Sequence, residues 1–468
     1  MATAELDDQS PTRGNTRYAF VVALVAAFGG FLFGYDLHVI TGGQLFWKPY
    51  FQLSEEAYAF AMASAMIGCM LGPSLGPWLI DRIGRRSTLM FCAVLFGASS
   101  LGTALPNDIA TFNVFRIVGG LAIGLASVAS PMYIAEIAPA RLRGRLGLMF
   151  QVAVTVGSTC SILLCWWLSL FAERGTISPE AVWRIMFGSE LVPITIFLVL
   201  LFFVPRSPRW LAEKGREAEA EQILAKIGGT LAAQKSMVEI RHDLTQEQGT
   251  WSELFQGGFK LALVCACLLA LFNNLTGWSG VAYYMPEIFK RGGYDAPSQA
   301  IFNALILNVF NLVFTLVCVS LVDKFGRRPL WIWTSVMMIG ALMFAAVAFQ
   351  LAWTGPIIVL VIVLTTIPHH LGLGPLPWLM QSELFPTRLR AKGVCISTTI
   401  VWIGGFLSAY LFPIVAKWSE QLVGSISLFF IVFIVMCVLS LLFGVTLFPE
   451  TKNRTLEEIA ASWQKRTK

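Results

Sequence analysis

Charge is what this sequence has least of. Only 13% of its 468 residues are Asp, Glu, Lys or Arg, whereas 56% are hydrophobic and the mean hydropathy is +0.68. A soluble domain carries about 25% charged residues, so a soluble globular chain is excluded and an integral membrane protein is implied. Histidine is scarce, with four residues. The nine cysteines all fall in apolar segments without metal-ligand spacing, so they are expected as small packing residues rather than disulfides. No His/Cys/Asp cluster or Ser–His–Asp arrangement stands out, so neither an enzyme nor a bound metal or cofactor is expected. The net charge of +6 is a topology signal and does not point to nucleic acid. No cleavable leader is visible: the polar first 17 residues run directly into an apolar segment that reads as a spanning helix.

Long apolar runs are what the sequence has in abundance. Twelve segments approach the roughly 20 residues needed to cross a bilayer. With both termini cytoplasmic, Lys and Arg concentrate on the inside. The exceptions are Lys48, Arg174, Arg184, Lys290, Arg291 and Lys417 outside and Arg116 within a span, a bias that follows the positive-inside rule. The only long polar stretch separates spans 6 and 7 and contains the amphipathic pattern GREAEAEQILAKIGG. The flanking halves repeat. DRIGRRSTL at Asp81 corresponds to DKFGRRPLW at Asp323, and EIAPARLRGRLG at Glu136 to ELFPTRLRAKG at Glu383. The expected fold is therefore an all-α membrane protein of twelve transmembrane helices in two pseudo-symmetric six-helix halves. Its expected parts are residues 1–204, a cytoplasmic linker with short helices at 205–257, residues 258–448 and a cytoplasmic tail at 449–468. Parallel repeats of this kind support alternating access around a central site.

The series GGFLFGYD, DRIGRR, PMYIAEIAPARLRG, PRSPRWL, NNLTG, YYMPEIF, DKFGRRP, GPLPWLMQSELFPTRLRAKG and PETKNRTLEEI runs from span 1 to the last 20 residues. In this order it resembles the sugar porter family of the major facilitator superfamily. The resemblance implies a monosaccharide as substrate, in a cavity lined mainly from spans 5, 7, 8, 10 and 11. Amides suit sugar hydroxyls because they donate and accept, and aromatic rings offer a platform for the ring face. Carried over position by position, this gives Gln151, Asn273, Asn274, Ser279, Asn311, Trp378 and Trp402, with Phe33 as a further wall. The alternative for each amide is helix–helix glue. The glycine in NNLTGWSG suggests an interrupted span 7, a mark of transporter sites. Against the family pattern, the usual Gln-Gln is Asn273-Asn274 and the usual Asn is Ser279. Positions on span 11 that are polar in hexose carriers are Val401 and Gly405 here, and near mid-depth of span 10, where some facilitators have an acid, this chain has His369-His370. A buried hydroxyl losing a partner costs about 1–3 kcal/mol, so the sugar itself is not readable.

On the cytoplasmic side, Glu136 and Glu383 end spans 4 and 10 near Arg85, Arg86, Arg327 and Arg328, with Arg143 and Arg390 close in sequence. Acid–Arg pairing across the halves would latch that side shut. The alternative is that the arginines mark topology and meet lipid phosphates. The family usually has an acid where this chain has Arg206, while Glu450 keeps it, which implies a weaker latch on the N-terminal side. Tyr283 and Tyr284 at the outer end of span 7 fit an extracellular gate or an interfacial aromatic belt equally well.

Ionisable groups inside a membrane are costly and default to functional hypotheses. At ~1.5 Å per residue, Asp36, Arg116 and Glu190 fall at similar depth. They are expected to form a proton-coupling cluster in which Asp36 protonates from outside, releases Arg116 and deprotonates inside. A static Asp36–Arg116 pair is the structural alternative. His38 lies about 200° from Asp36 on a helix and reads as a packing residue, and the roles of His369 and His370 stay open. The expected function is import of a hexose or pentose by proton symport. A facilitative carrier of a sugar or polyol is the alternative and a non-transporting sensor a remote one. The expected partners are the sugar, a proton and the bilayer, with the chain functioning as a monomer in a bacterial inner membrane.

Overall fold

A bilayer core offers no hydrogen-bond partner to an exposed N–H or C=O, so a spanning chain must satisfy its backbone internally. The apolar segments accordingly form helices. The computed structural model describes residues 15–139, 142–245, 249–452, 454, 458–459 and 462–463, without the side chains of 143–145, 148, 243, 319, 323, 382 and 387. Every regular element among them is helical. Twelve helical segments are long and apolar enough to cross a membrane: Thr16–Tyr50, Glu55–Ile83, Arg85–Ala104, Ile109–Ile137, Met149–Glu173, Pro179–Phe203, Gly257–Arg291, Pro297–Val322, Arg327–Gln350, Pro356–Gln381, Arg388–Val423 and Ser427–Thr446. These are spans 1 to 12. The amphipathic pattern in the linker forms the helix Glu217–Gly228, followed by Thr230–Thr245. Asn15 at the start of span 1 donates its N–H to Lys226 O at 3.0 Å, so the linker covers the membrane face where the chain begins. That face is called the termini face below.

Local chemistry sets the ends. Asn15, Ser54, Asp108 and Ser178 cap spans 1, 2, 4 and 6 through side-chain oxygens that accept from the first turn. Gly84 and Gly326 make equivalent turns before spans 3 and 9, with φ of +85° and +88°, a region that favours glycine.

Small residues let spans approach within each half. A Cβ on Gly120 of span 4 would lie 1.7 Å from Ala65 O of span 2, and one on Gly34 of span 1 would lie 1.9 Å from Val154 O of span 5. Without hydrophobic attraction between helices in lipid, such close packing is a main source of cohesion.

Three spans are interrupted. Span 6 breaks at Ser189-Glu190, and span 7 breaks at Thr276-Gly277, where Gly277 has φ +103°. In span 10 residues His369–Leu373 form a π-helical turn closed by the Gly374 N–H donating to His369 O at 2.7 Å. The glycine in NNLTGWSG marks the second break. π-Turns occur frequently at functional sites.

Candidate functional site

A buried charged region lies within the N-terminal half, and a buried aromatic one lies where the two halves meet. In the first, Arg116 of span 4 donates from Nη1 to the carboxylate of Asp36 on span 1, and at 3.4 Å to the Asp36 carbonyl. Both side chains are 1% exposed, as is Glu190 at the break of span 6. Glu190 lies within electrostatic reach of both. Its neighbour Ser189 is fixed by a 2.7 Å hydrogen bond with Tyr35 Oη. One oxygen each of Asp36 and Glu190, and Nε and Nη2 of Arg116, have no hydrogen-bond partner among the described residues. The structure thus brings together the three charges that sequence depth aligned, and leaves them incompletely satisfied. A buried polar group without a partner is costly.

The second region is an aromatic wall. Phe33 of span 1 packs on Trp402 of span 11 with ring centroids 5.5 Å apart, and Trp402 on Trp378 of span 10 at 6.4 Å. The wall draws on both halves. Trp402 Nε1 and Asn311 Oδ1 are buried without partners among the described residues, and Gln151 is half-buried. Other expected sugar ligands are engaged. Asn273 Nδ2 donates to Gly374 O at 2.8 Å and Leu373 O at 3.3 Å, tying the break of span 7 to the π-turn of span 10. Asn274 Nδ2 donates to Val401 O at 2.8 Å, and its Oδ1 accepts from Ser279 Oγ at 2.7 Å. In this conformation these amides bind helices to each other.

His38 bonds to Gly34 O through Nδ1 at 3.0 Å, and no bond joins it to Asp36. It lies within electrostatic reach of His370 across the halves. His369 and His370 pack on Trp278 at 5.7 and 5.3 Å, and His370 Nδ1 lies 3.3 Å from Thr315 Oγ1. Three of the four histidines therefore converge beside the break of span 7, a grouping that distance along the sequence conceals.

The membrane face opposite the termini is closed. Gln44 of span 1 donates to Tyr283 O at 3.3 Å and accepts from Tyr58 Oη. Tyr284 is fully buried, stacks on Phe412 at 4.3 Å and donates from Oη to Ala409 O at 2.8 Å. This corrects the belt alternative for Tyr284, because it faces protein rather than the lipid interface. Glu173, at the end of span 5, accepts from Ser298 N at 2.8 Å and Ser298 Oγ at 2.7 Å. It caps span 8 from the other half of the chain. Sequence reasoning missed Gln44, Tyr58, Glu173 and Ser298; the one available signal was a lone amide, Gln44, in an apolar run. Replacing Glu173 with Ala should remove a cap worth about 0.5–2 kcal/mol. Hydrogen exchange in the first turn of span 8 should rise about tenfold; an unchanged rate would show that the contact holds nothing.

At the termini face Arg85 and Arg327 pair with the acids of their own halves rather than across the halves as expected. Arg85 pairs with Glu136 at 2.8 Å and Arg327 with Glu383 at 2.9 Å. The reason is local: each arginine opens the helix beside the end of its own half's fourth span. Arg86 donates to Leu201 O at 2.8 Å and Arg328 to Gly444 O at 3.2 Å. Glu450 accepts from Arg327 N and Arg328 N at 3.2 and 3.0 Å. Arg390 is half-buried at the start of span 11. The Arg143 side chain lies outside the described residues.

Twelve spans in two halves, closed at one face around buried charge and an aromatic wall, define a secondary transporter. Residues 22–463 match the family model described as sugar (and other) transporter. The chain is 36% identical to the D-xylose-proton symporter of Escherichia coli K12, covering 98% of each, and 35% identical to the arabinose-proton symporter of Bacillus subtilis, covering 98% of this chain and 99% of the relative. It superposes on the inward-open xylose transporter of Escherichia coli with a TM-score of 0.82 at 34% identity, over 95% of this chain and all of the other. The same transporter bound to 6-bromo-6-deoxy-D-glucose gives 0.79 at 34% identity, over 96% of this chain and all of the other. The chain belongs to the sugar transporter family of the major facilitator superfamily.

Proposed function

We infer that this protein is a secondary active transporter that imports a monosaccharide, a pentose or hexose, together with a proton. The observation that carries the reading is the buried Asp36–Arg116–Glu190 cluster with unpartnered carboxylate oxygens beside an aromatic wall shared by the halves. Relatives at 35–36% identity are named as pentose-proton symporters, which supports the same coupling here. Asp36 is the proton carrier, Arg116 its counter-ion and Glu190 a second carboxylate that shares the titration. Trp378, Trp402 and Phe33 form the platform for the sugar ring, and Gln151 and Asn311 meet its hydroxyls. Asn273, Asn274 and Ser279 join them when spans 7, 10 and 11 separate. Gln44, Tyr283 and Tyr284 gate the opposite face, which is the periplasmic one if both termini are cytoplasmic, as the positive-inside bias supports.

Loading proteoliposomes with buffer and imposing an inward pH gradient tests this reading. Labelled xylose, arabinose, galactose and glucose are offered in turn, with and without a protonophore. At least one should accumulate only when the gradient is intact. Accumulation that survives the protonophore would sink the symport assignment, and equilibration without accumulation would establish the facilitative carrier.

A further inference from the structure

Arg116 provides for the ionised form of Asp36 and not for the protonated one. A guanidinium group only donates, so it pairs with a carboxylate but cannot accept the O–H of a carboxylic acid. Asp36 Oδ1 takes the Arg116 bond, and Oδ2 is buried without a partner among the described residues. The group set against Oδ2 comes from span 3. Gly119 lies three residues after Arg116, on the same face of span 4. A Cβ there would lie 2.8 Å from Asp36 Oδ2 and 2.4 Å from Oγ of Ser99. Only glycine lets both oxygens crowd this point of the span 4 backbone.

The Ser99 hydroxyl is held free. Ser99 is 1% exposed, and its Oγ has no partner among the described residues. A buried serine or threonine in a helix can spend its hydroxyl on a backbone carbonyl. The other three buried hydroxyls of span 3 do so. Thr88 donates to Gly84 O at 2.9 Å, Ser100 to Phe187 O at 2.8 Å and Thr103 to Ser99 O at 2.7 Å. The Ser100 bond also seats span 3 against the break of span 6 that carries Glu190. Besides Arg116 and Glu190, the titratable groups within electrostatic reach of this cluster are Cys69 of span 2, Tyr35 of span 1 and Tyr283 of span 7. None of them is bonded to Asp36 Oδ2.

We propose that Ser99 is the positioning residue for the coupling proton: its oxygen accepts the O–H of Asp36 once Oδ2 is protonated, and so sets the pH at which the carrier loads. This rests on Asp36 as the proton carrier. The proton bonds to Oδ2, and the Arg116 bond to Oδ1 weakens as the charge disappears. The turn of one serine torsion brings Oγ to the new O–H. The hydrogen of Ser99 itself swings to a carbonyl of the preceding turn, as that of Thr103 does. The ion-paired state makes no bond between Ser99 and Asp36, so the hydroxyl favours the protonated form alone.

The test uses the full chain in proteoliposomes, offered whichever of xylose, arabinose, galactose and glucose the wild type accumulates. The initial uptake rate is followed against external pH, with the internal pH held a constant interval above it. Ser99→Ala should move the half-maximal pH toward acid by about half a unit to one unit, the worth of one hydrogen bond. Ser99→Thr restores the hydroxyl and should return the midpoint most of the way. Gly119→Ala, which drives a methyl group between the two oxygens, should shift it toward acid as well. A folded Ser99→Ala protein with the wild-type midpoint, alongside an Asp36→Asn protein that has lost accumulation, overturns the proposal. Should Ser99→Ala fail to fold, Ser99→Cys, whose sulfur is a weak acceptor, decides in the same way. Accumulation that persists in Asp36→Asn instead overturns the carrier assignment on which the role of Ser99 rests.

Discussion

Asp36→Asn is expected to abolish uphill uptake while leaving sugar exchange intact. One proton moving down ~100 mV contributes about 2.3 kcal/mol, enough to sustain roughly fifty-fold accumulation. Asparagine keeps the size and hydrogen-bonding capacity of the side chain but carries no titratable proton. The variant should therefore fold, bind sugar and exchange labelled for unlabelled sugar across a vesicle wall, while its accumulation ratio falls to about one. Counterflow and gradient-driven uptake in the same vesicles separate these outcomes. Persistent accumulation would transfer the role to Glu190, the only other carboxylate in the cluster, and Glu190→Gln would then reproduce the loss.

Arg116→Met should be the most damaging change to stability. Arg116 is 1% exposed and is the counter-ion of Asp36. Its removal leaves two buried carboxylates without a cation, and breaking one side of a buried ion pair costs about 3–5 kcal/mol. The expected result is a large fall in unfolding temperature and in folded yield. Combining it with Asp36→Asn removes one of the two stranded charges and leaves Glu190, so the double variant should regain part of the loss. Size-exclusion profiles and thermal melts of the four proteins form a double-mutant cycle. A single variant as stable as wild type would mean that the pair contributes nothing to folding, and that water or protons already neutralise Asp36.

Much of this architecture was legible because the bilayer narrows the choices. A segment of some 20 apolar residues without a hydrogen-bonding solvent must be helical, so the spans follow from composition. Depth along a helix is arithmetic, so Asp36, Arg116 and Glu190 could be aligned before any coordinate was known. The aromatic wall followed from motif positions. Side-chain direction was not legible. Asn273 and Asn274 were assigned to the sugar, yet here their N–H groups are spent on the carbonyls of spans 10 and 11. The π-turn at His369 depends on how span 10 packs, and nothing in PHHLGLG announces it. Glu173 and Ser298 lie 125 residues apart, and their pairing exists only because this face is closed. The acid–Arg pairs were expected across the halves, whereas Arg85–Glu136 and Arg327–Glu383 lie within them, because which half each partner belongs to is a tertiary fact.

The bond from Asn273 to the carbonyls of Leu373 and Gly374 fastens one broken helix to another at their weakest points. Two discontinuities joined in this way hinge together, so bending span 7 drags span 10 along. If Asn273 binds the sugar as proposed, a hydroxyl that seeks the same amide would compete with that fastening. Recognition and release of the hinge would then be one event, with the cargo as the key to the movement that carries it.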